Sequence, residues 1–326
     1  MRFRSLALPI ALVLGLSACG SSDTESDDET AADAAAQSSP VDDSAQTPGA
    51  GPAEYPLTVS SDAGEVTLEE APSRIVSLSP TATEILFAIG AGDQVVAVDS
   101  YSTYPEGTPV TDLSGFDPNI EAITSYDPDL VVISNDANDL VAGLGELDIP
   151  VIAFDAPADI EAGYEQMAEL GIATGHIDET AAVVATLREE VDTALAQAPT
   201  DASPRVYHEL DSTYFSASSF GFIGSVYADL GATNIADEAD TDESGFPQLT
   251  EEFIIAADPE VIVITDQVDY TADDVAARPG WGEITAVKED NIVTVNADIA
   301  SRWGPRLPQF IETAAQALNT AAVPAG

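Results

Sequence analysis

Two arginines near the C-terminal end of the chain are the residues whose chemistry stands out first. Arg302 and Arg306 flank Trp303 in the segment SRWGPR, and the chain has only nine Lys and Arg residues in 326. A guanidinium group presents planar donors that match a carboxylate or a phosphate. We therefore predict either a loop that holds a phosphate, carboxylate or catecholate of a ligand, or an ion pair with one of the many acidic residues.

Aromatic residues in polar loops form a second group of candidates. Phe116 and Phe246 each follow a glycine outside any periodic core pattern, and Tyr101 lies in the loop SYSTYPEGTPV. Sites for large ligands are mostly apolar with a few polar anchors. We predict that these residues are the apolar walls of a site for a flat, bulky ligand, with ordinary core packing as the alternative. Tyr214, from a loop rich in aromatic and small residues, is added to this group.

Glu121 and Glu252 occupy equivalent positions in a segment that occurs twice. The sequences NIEAITSYDPDLVVIS and EEFIIAADPEVIVIT align on their Asp-Pro pairs, and Asp127 and Asp258 are 131 positions apart. That distance suits a domain and is too long for a solenoid repeat. Each copy predicts a short helix, a stop at Asp-Pro and a buried strand. We infer two related α/β lobes, each with a glutamate at a helix start, where negative charge is also stabilising in itself.

His208 and Asp211 are the pair most suggestive of catalysis or metal binding. A catalytic triad needs a nucleophile on a sharp turn, and the chain contains no G-x-S-x-G segment. His208 falls in a predicted strand, which favours a structural histidine. The chain's two histidines are too few for a His-rich zinc or manganese site. We predict neither catalytic nor metal-binding residues.

Strands that alternate with helices must position these candidates. The alternation predicts two Rossmann-like α/β lobes with mostly parallel sheets. Apolar residues at helical spacing predict a long amphipathic helix over 178–198 that joins the lobes, after a first helix that ends near Leu170. The segment Ser79-Pro80-Thr81 opens another helix, with Thr81 or Thr83 near its N-cap. Its hydroxyl and N–H groups could contact a ligand, and we expect them to cap the helix instead. The predicted boundaries are 1–18 for a signal peptide, 19–54 for a tether, 55–157 for the N-terminal lobe, 158–198 for the linking helices and 199–326 for the C-terminal lobe.

Acidic residues dominate the composition. The chain has 58 Asp and Glu residues and a formal net charge of −49. Nucleic acid is excluded as a partner because phosphate binding needs clustered cations, and an anionic membrane surface would repel the protein. The acidity indicates a solvated surface and would suit a saline environment.

The first 54 residues predict export. Residues 1–18 combine two arginines with an apolar stretch too short to span a bilayer, which is typical of a secretory signal. The stretch ends in LSAC, which resembles the lipobox of bacterial lipoproteins and implies a lipid on Cys19; an ordinary export signal with a chance cysteine is the alternative. Residues 20–54 are rich in Ser, Asp, Glu, Ala and Pro, and predict a disordered, extended tether.

Several segments together resemble the binding proteins that feed iron complexes and cobalamin to ABC importers. They are RIVSLSPTATEILFAIGAGDQVVAV, PNIEAITSYDPDLVVIS, FIGSVYADLGATNIAD, PQLTEEFIIAADPEVIVIT and RPGW. The resemblance covers residues 55–318 and implies two α/β lobes joined by one long helix, with the ligand in the cleft between them. It is strongest to the cobalamin-binding members. Tyr101 matches their corrinoid-lining Tyr, Asp298 matches a cleft Asp, and Phe116 and Phe246 stand where they carry Trp.

The resemblance also implies a biological role. It implies an exported, lipid-anchored, monomeric solute-binding protein of the cell envelope, attached to the membrane only through its lipid and needing no cofactor. The expected ligand is a cobalt corrinoid, with a ferric siderophore or haem second. Family position favours a cleft location for at least one of Arg302 and Arg306, and docking of Glu121 and Glu252 with arginines of the permease subunits. A secreted enzyme that uses His208, or a ligand sensor without a transporter, is the alternative of another class.

The charge predicts a dependence of stability on salt. We expect the thermal midpoint of the unlipidated protein to rise when NaCl is raised from about 0.1 to about 1 M, because the screening length falls from about 10 to about 3 Å and relieves self-repulsion. Melting followed by circular dichroism measures this. Sucrose at equal osmolality is the control, because it leaves charges unscreened. A midpoint that is flat or falling in NaCl would contradict the expectation.

Overall fold

Two parallel β-sheets joined by a pair of helices make up most of the chain described by the computed structural model, which covers residues 53–322. The predicted signal peptide, Cys19 and all but the last two residues of the predicted tether lie outside the described residues. A small antiparallel hairpin of β1 (Leu57–Val59) and β2 (Val66–Leu68), whose sequence alternates between apolar and polar residues, precedes the first sheet. No helix within residues 53–322 combines the length and apolarity needed to cross a bilayer.

The N-terminal lobe contains a five-stranded sheet in the order β5-β4-β3-β6-β7, with every neighbouring pair parallel. All four residues of β6 are buried, as expected for a strand that is covered on both faces. The edge strand β5 has no apolar run in its sequence, and only its last residue is buried. The strands are β3 (Ile75–Ser77), β4 (Val95–Asp99), β5 (Val110–Leu113), β6 (Leu130–Ile133) and β7 (Val151–Ala153), and the helices are α1 (Pro80–Ala88), α2 (Ile120–Thr124) and α3 (Leu140–Gly145).

Two long helices, α4 (Ile160–Thr174) and α5 (Ile177–Leu195), connect the lobes. The prediction that the first ends near Leu170 was wrong, because Gly171 continues the helix. A side chain at Gly171 would meet the Oγ1 atom of Thr180 at 2.2 Å, so this glycine allows α4 and α5 to approach closely. Gly175, with φ +79°, is the residue that ends α4.

The C-terminal lobe contains a four-stranded parallel sheet in the order β11-β10-β8-β9. The predicted strands β8 and β10 are present, whereas β9, α8, α9 and α10 are each too short to show a period in the sequence. The strands are β8 (Arg205–His208), β9 (Thr233–Asn234), β10 (Val261–Thr265) and β11 (Ile292–Val295), and the helices are α6 (Phe222–Asp229), α7 (Glu251–Ala257), α8 (Ala272–Ala276), α9 (Thr285–Lys288), α10 (Ala297–Ala300) and α11 (Leu307–Ala322).

The repeated segment forms the same structure in both lobes. The helices α2 and α7 are capped by the side chains of Asn119 and Thr250, each of which accepts a bond from the backbone N–H three residues later. Asp127 and Asp258, which lie between the helix and the strand of each copy, have φ values of 52° and 49°.

An arginine closes each copy of the repeat in the same way. Arg74 Nε donates to the carbonyl of Asp127 at 2.8 Å, and Arg205 Nε donates to the carbonyl of Asp258 at 2.8 Å. Both arginines precede or begin a central strand, β3 or β8, at the amino end of its sheet. The two copies of the repeat therefore have the same arginine hydrogen bond as well as the same helix and strand.

His208 is buried in the C-terminal lobe. Its Nδ1 atom lies 2.9 Å from the hydroxyl of Tyr227, and its ring packs against Tyr227 and Phe310. Asp211 accepts instead from the backbone N–H of Thr213, so the structure does not bring a His–Asp pair together. Burial lowers the pKa of His208 to about 4.

The buried His208 predicts a loss of stability on acidification. As the pH falls from about 6.5, the ordinary pKa of histidine, towards 4, the unfolded chain takes up a proton that the folded protein excludes. The free energy of unfolding should then fall by up to about 1.4 kcal/mol per pH unit more in the native protein than in His208→Gln. Urea unfolding at several pH values measures both slopes. Equal slopes would show that His208 is protonated in the folded protein.

Candidate ligand-binding cleft

A cleft of about 480 Å³ opens between the lobes. Several of its residues directly follow strands: Phe154 follows β7, Ser134 follows β6, and Gln267 lies just beyond β10. Ligands of open α/β sheets bind outside the carboxyl ends of the strands, where loops converge. The linking helix α4 contributes Gln166 and Leu170 to the same cleft, so both lobes and their connection line it.

Three of the predicted aromatic residues stand at this cleft. Tyr101 and Phe116 come from the N-terminal lobe, and Phe246 faces the same cavity from the C-terminal lobe. Phe116 is 73% exposed, Tyr101 56% and Phe246 48%, which excludes the core-packing alternative for all three. The rings of Tyr101 and Phe116 meet edge to face with 5.7 Å between their centroids. Large apolar side chains exposed around a cavity are typical of a binding site.

Trp303 lines the inner part of the cleft and is 7% exposed. It packs closely on α4, because a side chain at Gly163 would meet Trp303 Cε3 at 2.7 Å. Phe154, Phe222 and Ile223 add apolar surface that the sequence analysis did not assign to the site. Their position at the end of a strand or the start of a helix was the available signal for them.

Arg302 lines the cleft and is already paired. Its Nη2 atom lies 2.6 Å from Asp298 Oδ1 and 3.2 Å from the carbonyl oxygen of Tyr101, and its Nη1 atom lies 3.3 Å from Glu84 Oε1. Gln267 also donates to Asp298 Oδ1, at 3.2 Å. The ion-pair alternative is therefore what the structure shows for Arg302, within the cleft that the resemblance implied.

Arg306 lies behind the cleft, in contact with the same glutamate. Its Nε donates to Glu84 Oε2 at 2.8 Å, and its guanidinium carbon lies 4.3 Å from the centre of the Tyr104 ring. Burial alone would lower the pKa of Arg306, but the hydrogen bond and charge of Glu84 outweigh it and raise the pKa. Arg306 is thus an ion-paired residue of the lobe interface and does not line the cavity.

Glu84 is the residue of this region that sequence reasoning missed. It lies in the middle of α1, is 4% exposed, and binds both arginines of the opposite lobe. The available signal was a single acidic residue within the apolar run of a predicted helix. The N-cap of α1 is Ser79, whose side chain accepts from Ala82 N–H, as expected for a Ser79-Pro80-Thr81 segment that caps this helix.

The remaining predicted site residues lie elsewhere. Tyr214 does not line the cleft, because it stacks on Trp281 within the C-terminal lobe at 6.1 Å and 29° between the rings. Glu121 and Glu252 are exposed second residues of α2 and α7. Within residues 53–322, no group of three His, Cys, Asp or Glu side chains could hold a metal ion.

Two α/β lobes with a partly apolar cleft between them define a class of ligand-binding proteins, and comparisons identify the family. Residues 75–299 match the family described as periplasmic binding protein, so the chain belongs to the periplasmic binding protein family. A cobalamin-binding protein of Halobacterium salinarum is 34% identical over 270 residues, which are 79% of this chain and 72% of that protein.

Two further relatives describe the range of the family. An ABC transporter substrate-binding lipoprotein of Bacillus subtilis is 30% identical over 275 residues, which are 81% of this chain and 86% of that protein. The apo structure of a periplasmic haem-binding protein from Roseiflexus has a TM-score of 0.69 at 25% identity, and the match covers 76% of this chain and 99% of the other. The two-lobed fold implied by the resemblance is confirmed.

The pairing of Glu84 with two arginines predicts a large effect of its removal. Glu84→Gln leaves two buried guanidinium groups short of one counter-charge and should lower the free energy of unfolding by about 3 kcal/mol. Urea unfolding measures this loss.

Glu161→Gln is the matched control for that substitution. It breaks the Glu161–Arg188 pair, whose side chains are 67% and 45% exposed. Exposed pairs contribute little, so this variant should unfold like the native protein. Equal losses of unfolding free energy in Glu84→Gln and Glu161→Gln would show that the buried cluster contributes no more to stability than an exposed ion pair.

Proposed function

We propose that the protein is an extracytoplasmic solute-binding protein of an ABC importer that captures a large metal chelate, with a cobalamin-type corrinoid favoured. The observation that carries this proposal is the set of exposed aromatic side chains, Tyr101, Phe116 and Phe246, that face one cleft from both lobes. A broad, flat ligand is the kind of molecule that can contact all three at once. Binding and release are the whole activity, and no bond is made or broken.

The state of the basic residues favours a corrinoid over an anionic chelate. Every Lys and Arg side chain within residues 53–322 already contacts a carboxylate or a backbone carbonyl. Arg302, the one that lines the cleft, is shared by Glu84 and Asp298. A haem carboxylate or a catecholate would have to compete with these acids, whereas neutral amide groups at a corrin edge can bond to Asp298 and Gln267 without displacing a charge.

Export, the lipid on Cys19 and the transporter complete the proposal. The support is the LSAC segment at the end of the apolar stretch, and the similarity to a B. subtilis protein named as a substrate-binding lipoprotein. Glu121 and Glu252 are proposed to dock with basic residues of the permease, because they are exposed at equivalent positions of the two repeats. Such contacts give complementarity and weaken in salt.

Calorimetric titration tests the ligand assignment. We expect cyanocobalamin to bind the unlipidated protein one to one, and Phe116→Ala and Phe246→Ala each to weaken binding by roughly tenfold, since a buried aromatic contact is worth about 1–2 kcal/mol. Ferric siderophores and haem complete the panel. Tight binding of an anionic chelate with no binding of cyanocobalamin would overturn the corrinoid assignment and keep the importer class.

Phe220→Ala is the matched control for these titrations. Phe220 is 46% exposed and belongs to the C-terminal lobe, as Phe246 does, but it does not line the cleft. Its removal should leave affinity unchanged. An equal loss in Phe220→Ala would place the ligand outside the cleft.

A further inference from the structure

The aromatic walls of the cleft are exposed side chains on loops, so their own packing does not hold them in place. Phe116 and Phe246 are both exposed, and each follows a glycine. A loop in this situation is ordered by its backbone hydrogen bonds. In both lobes these bonds lead to one buried aspartate.

Asp99 is the buried aspartate of the N-terminal lobe. It ends β4, is 1% exposed, and its Oδ1 atom accepts from the backbone N–H and the hydroxyl of Ser102 at 2.9 and 2.6 Å. The backbone N–H groups of Tyr101 and Gly115 also interact with this carboxylate. Asp99 thus connects the loop that carries Tyr101 with the loop that carries Phe116.

The surroundings of Asp99 leave little freedom to either loop. The Ser102 hydroxyl also lies 3.1 Å from that of Thr83, on the buried side of α1. A side chain at Gly115 would meet the carbonyl oxygen of Leu78 at 2.3 Å and Asp99 Oδ2 at 3.5 Å. Burial raises the pKa of Asp99 although these hydrogen bonds oppose the shift, so a buried carboxyl is retained here at an energetic cost.

Asp240 is the buried aspartate of the C-terminal lobe, with 3% exposure. Its carboxylate accepts from Ser244 N–H and hydroxyl at 2.9 Å each, and from Gly245 N–H at 2.8 Å. The hydroxyl of Ser218, on the adjacent loop, is a further donor. Burial alone would raise the pKa of Asp240, but these bonds outweigh it and lower the pKa to about 2.

The loop held by Asp240 leads directly into Phe246. Gly245 has φ +81°, and its carbonyl accepts from Ser218 N–H at 3.0 Å. A side chain at Gly221 would lie 3.2 Å from Gly245 Cα, so the two loops touch through their backbones. The arrangement is the same as in the other lobe. In each lobe one carboxylate, which can only accept hydrogen bonds, interacts with backbone N–H groups next to an aromatic residue of the cleft.

We propose that Asp99 and Asp240 are positioning residues, one in each lobe, that hold the aromatic walls of the cleft in the orientation that receives the ligand. Asp99 acts through the loops of Tyr101 and Phe116, and Asp240 acts through the loop of Phe246. Preorganised walls lower the ordering cost of binding, so loss of either aspartate weakens affinity beyond its effect on folding. This inference extends the proposed function, and its first test needs no ligand.

That test is ¹⁹F NMR of the unlipidated protein labelled with 4-fluorophenylalanine at the nine Phe residues that follow the predicted signal peptide. Phe116→Leu and Phe246→Leu assign the two resonances. We expect Asp99→Asn to shift or broaden the Phe116 resonance and leave that of Phe246 in place, because an amide cannot accept from all of these donors. Asp240→Asn should do the reverse. A variant that leaves the resonance of its own loop unchanged would overturn the proposal.

Asp129→Asn is the matched control. Asp129 accepts from Ser73 N–H, Ser73 hydroxyl and Arg74 N–H at 2.8 to 2.9 Å, and it precedes β6 at the sheet edge away from the cleft. Its loss should lower the thermal midpoint and leave both ring resonances unmoved. If Asp129→Asn disturbs both resonances as strongly, the two proposed residues are structural only.

Milder variants and a titration complete the test. If Asp99→Asn or Asp240→Asn does not fold, Ser102→Ala and Ser244→Ala remove one donor each and should give the same crossed pattern.

In cyanocobalamin titrations, Asp99→Asn and Asp240→Asn should each weaken binding about tenfold, while Asp129→Asn binds like the native protein. A crossed NMR pattern with no binding of any panel ligand would keep the positioning role and overturn the proposed ligand. Native affinity in either variant would overturn its part in binding.

Discussion

The burial of Glu84 between two arginines of the opposite lobe is the interaction on which the rest of the structure depends. A carboxylate that is 4% exposed is tolerated because Arg302 and Arg306 surround it, and those arginines are tolerated because of the carboxylate. The lobes cannot separate at this point without leaving charges unpaired. Together with α4 and α5, this cluster connects the two lobes.

The cleft combines a rigid inner surface with an exposed aromatic mouth. Trp303 packs against Gly163 of the linking helix, and Arg302 is held by three acceptors, so the inner surface has little freedom. At the mouth, Phe116 is largely exposed and depends on its loop for its position. The polar groups of the inner surface are therefore fixed by their ion pairs, whereas the aromatic side chains at the mouth depend on the hydrogen bonds of their loops.

Local signals in the sequence were sufficient for the repeat, the linking helices and the central strands. The run Leu130–Ile133 and the first four residues of its partner, Val261–Thr265, are continuous and apolar, and their buried positions follow from that alone. Phe116 and Phe246 were recognised as cleft residues because glycines and polar residues around them exclude a core position. Both inferences needed only residues adjacent in the chain.

The errors concern residues whose role is set by distant partners. In the sequence Gly171 indicates the end of a helix, but in the structure it continues α4 and contacts Thr180. Tyr214 indicates an aromatic residue of a ligand-binding loop, but in the structure it stacks on Trp281. Glu84 binds arginines more than 200 positions away, and the sequence of α1 marks it as unusual without identifying these partners. These contacts form only in the folded chain, and the hydrophobic periodicity of the sequence does not predict them.

The matched bonds from Arg74 and Arg205 to the Asp-Pro turns have a consequence for how the ligand preference of such a protein can change. They lie at the amino ends of the strands, whereas the cleft lies at the carboxyl ends. Mutational drift at the ligand-facing edge therefore leaves the framework of each half intact. In a two-lobed protein of this kind, ligand specificity can change through successive substitutions in single loops while every intermediate sequence still folds.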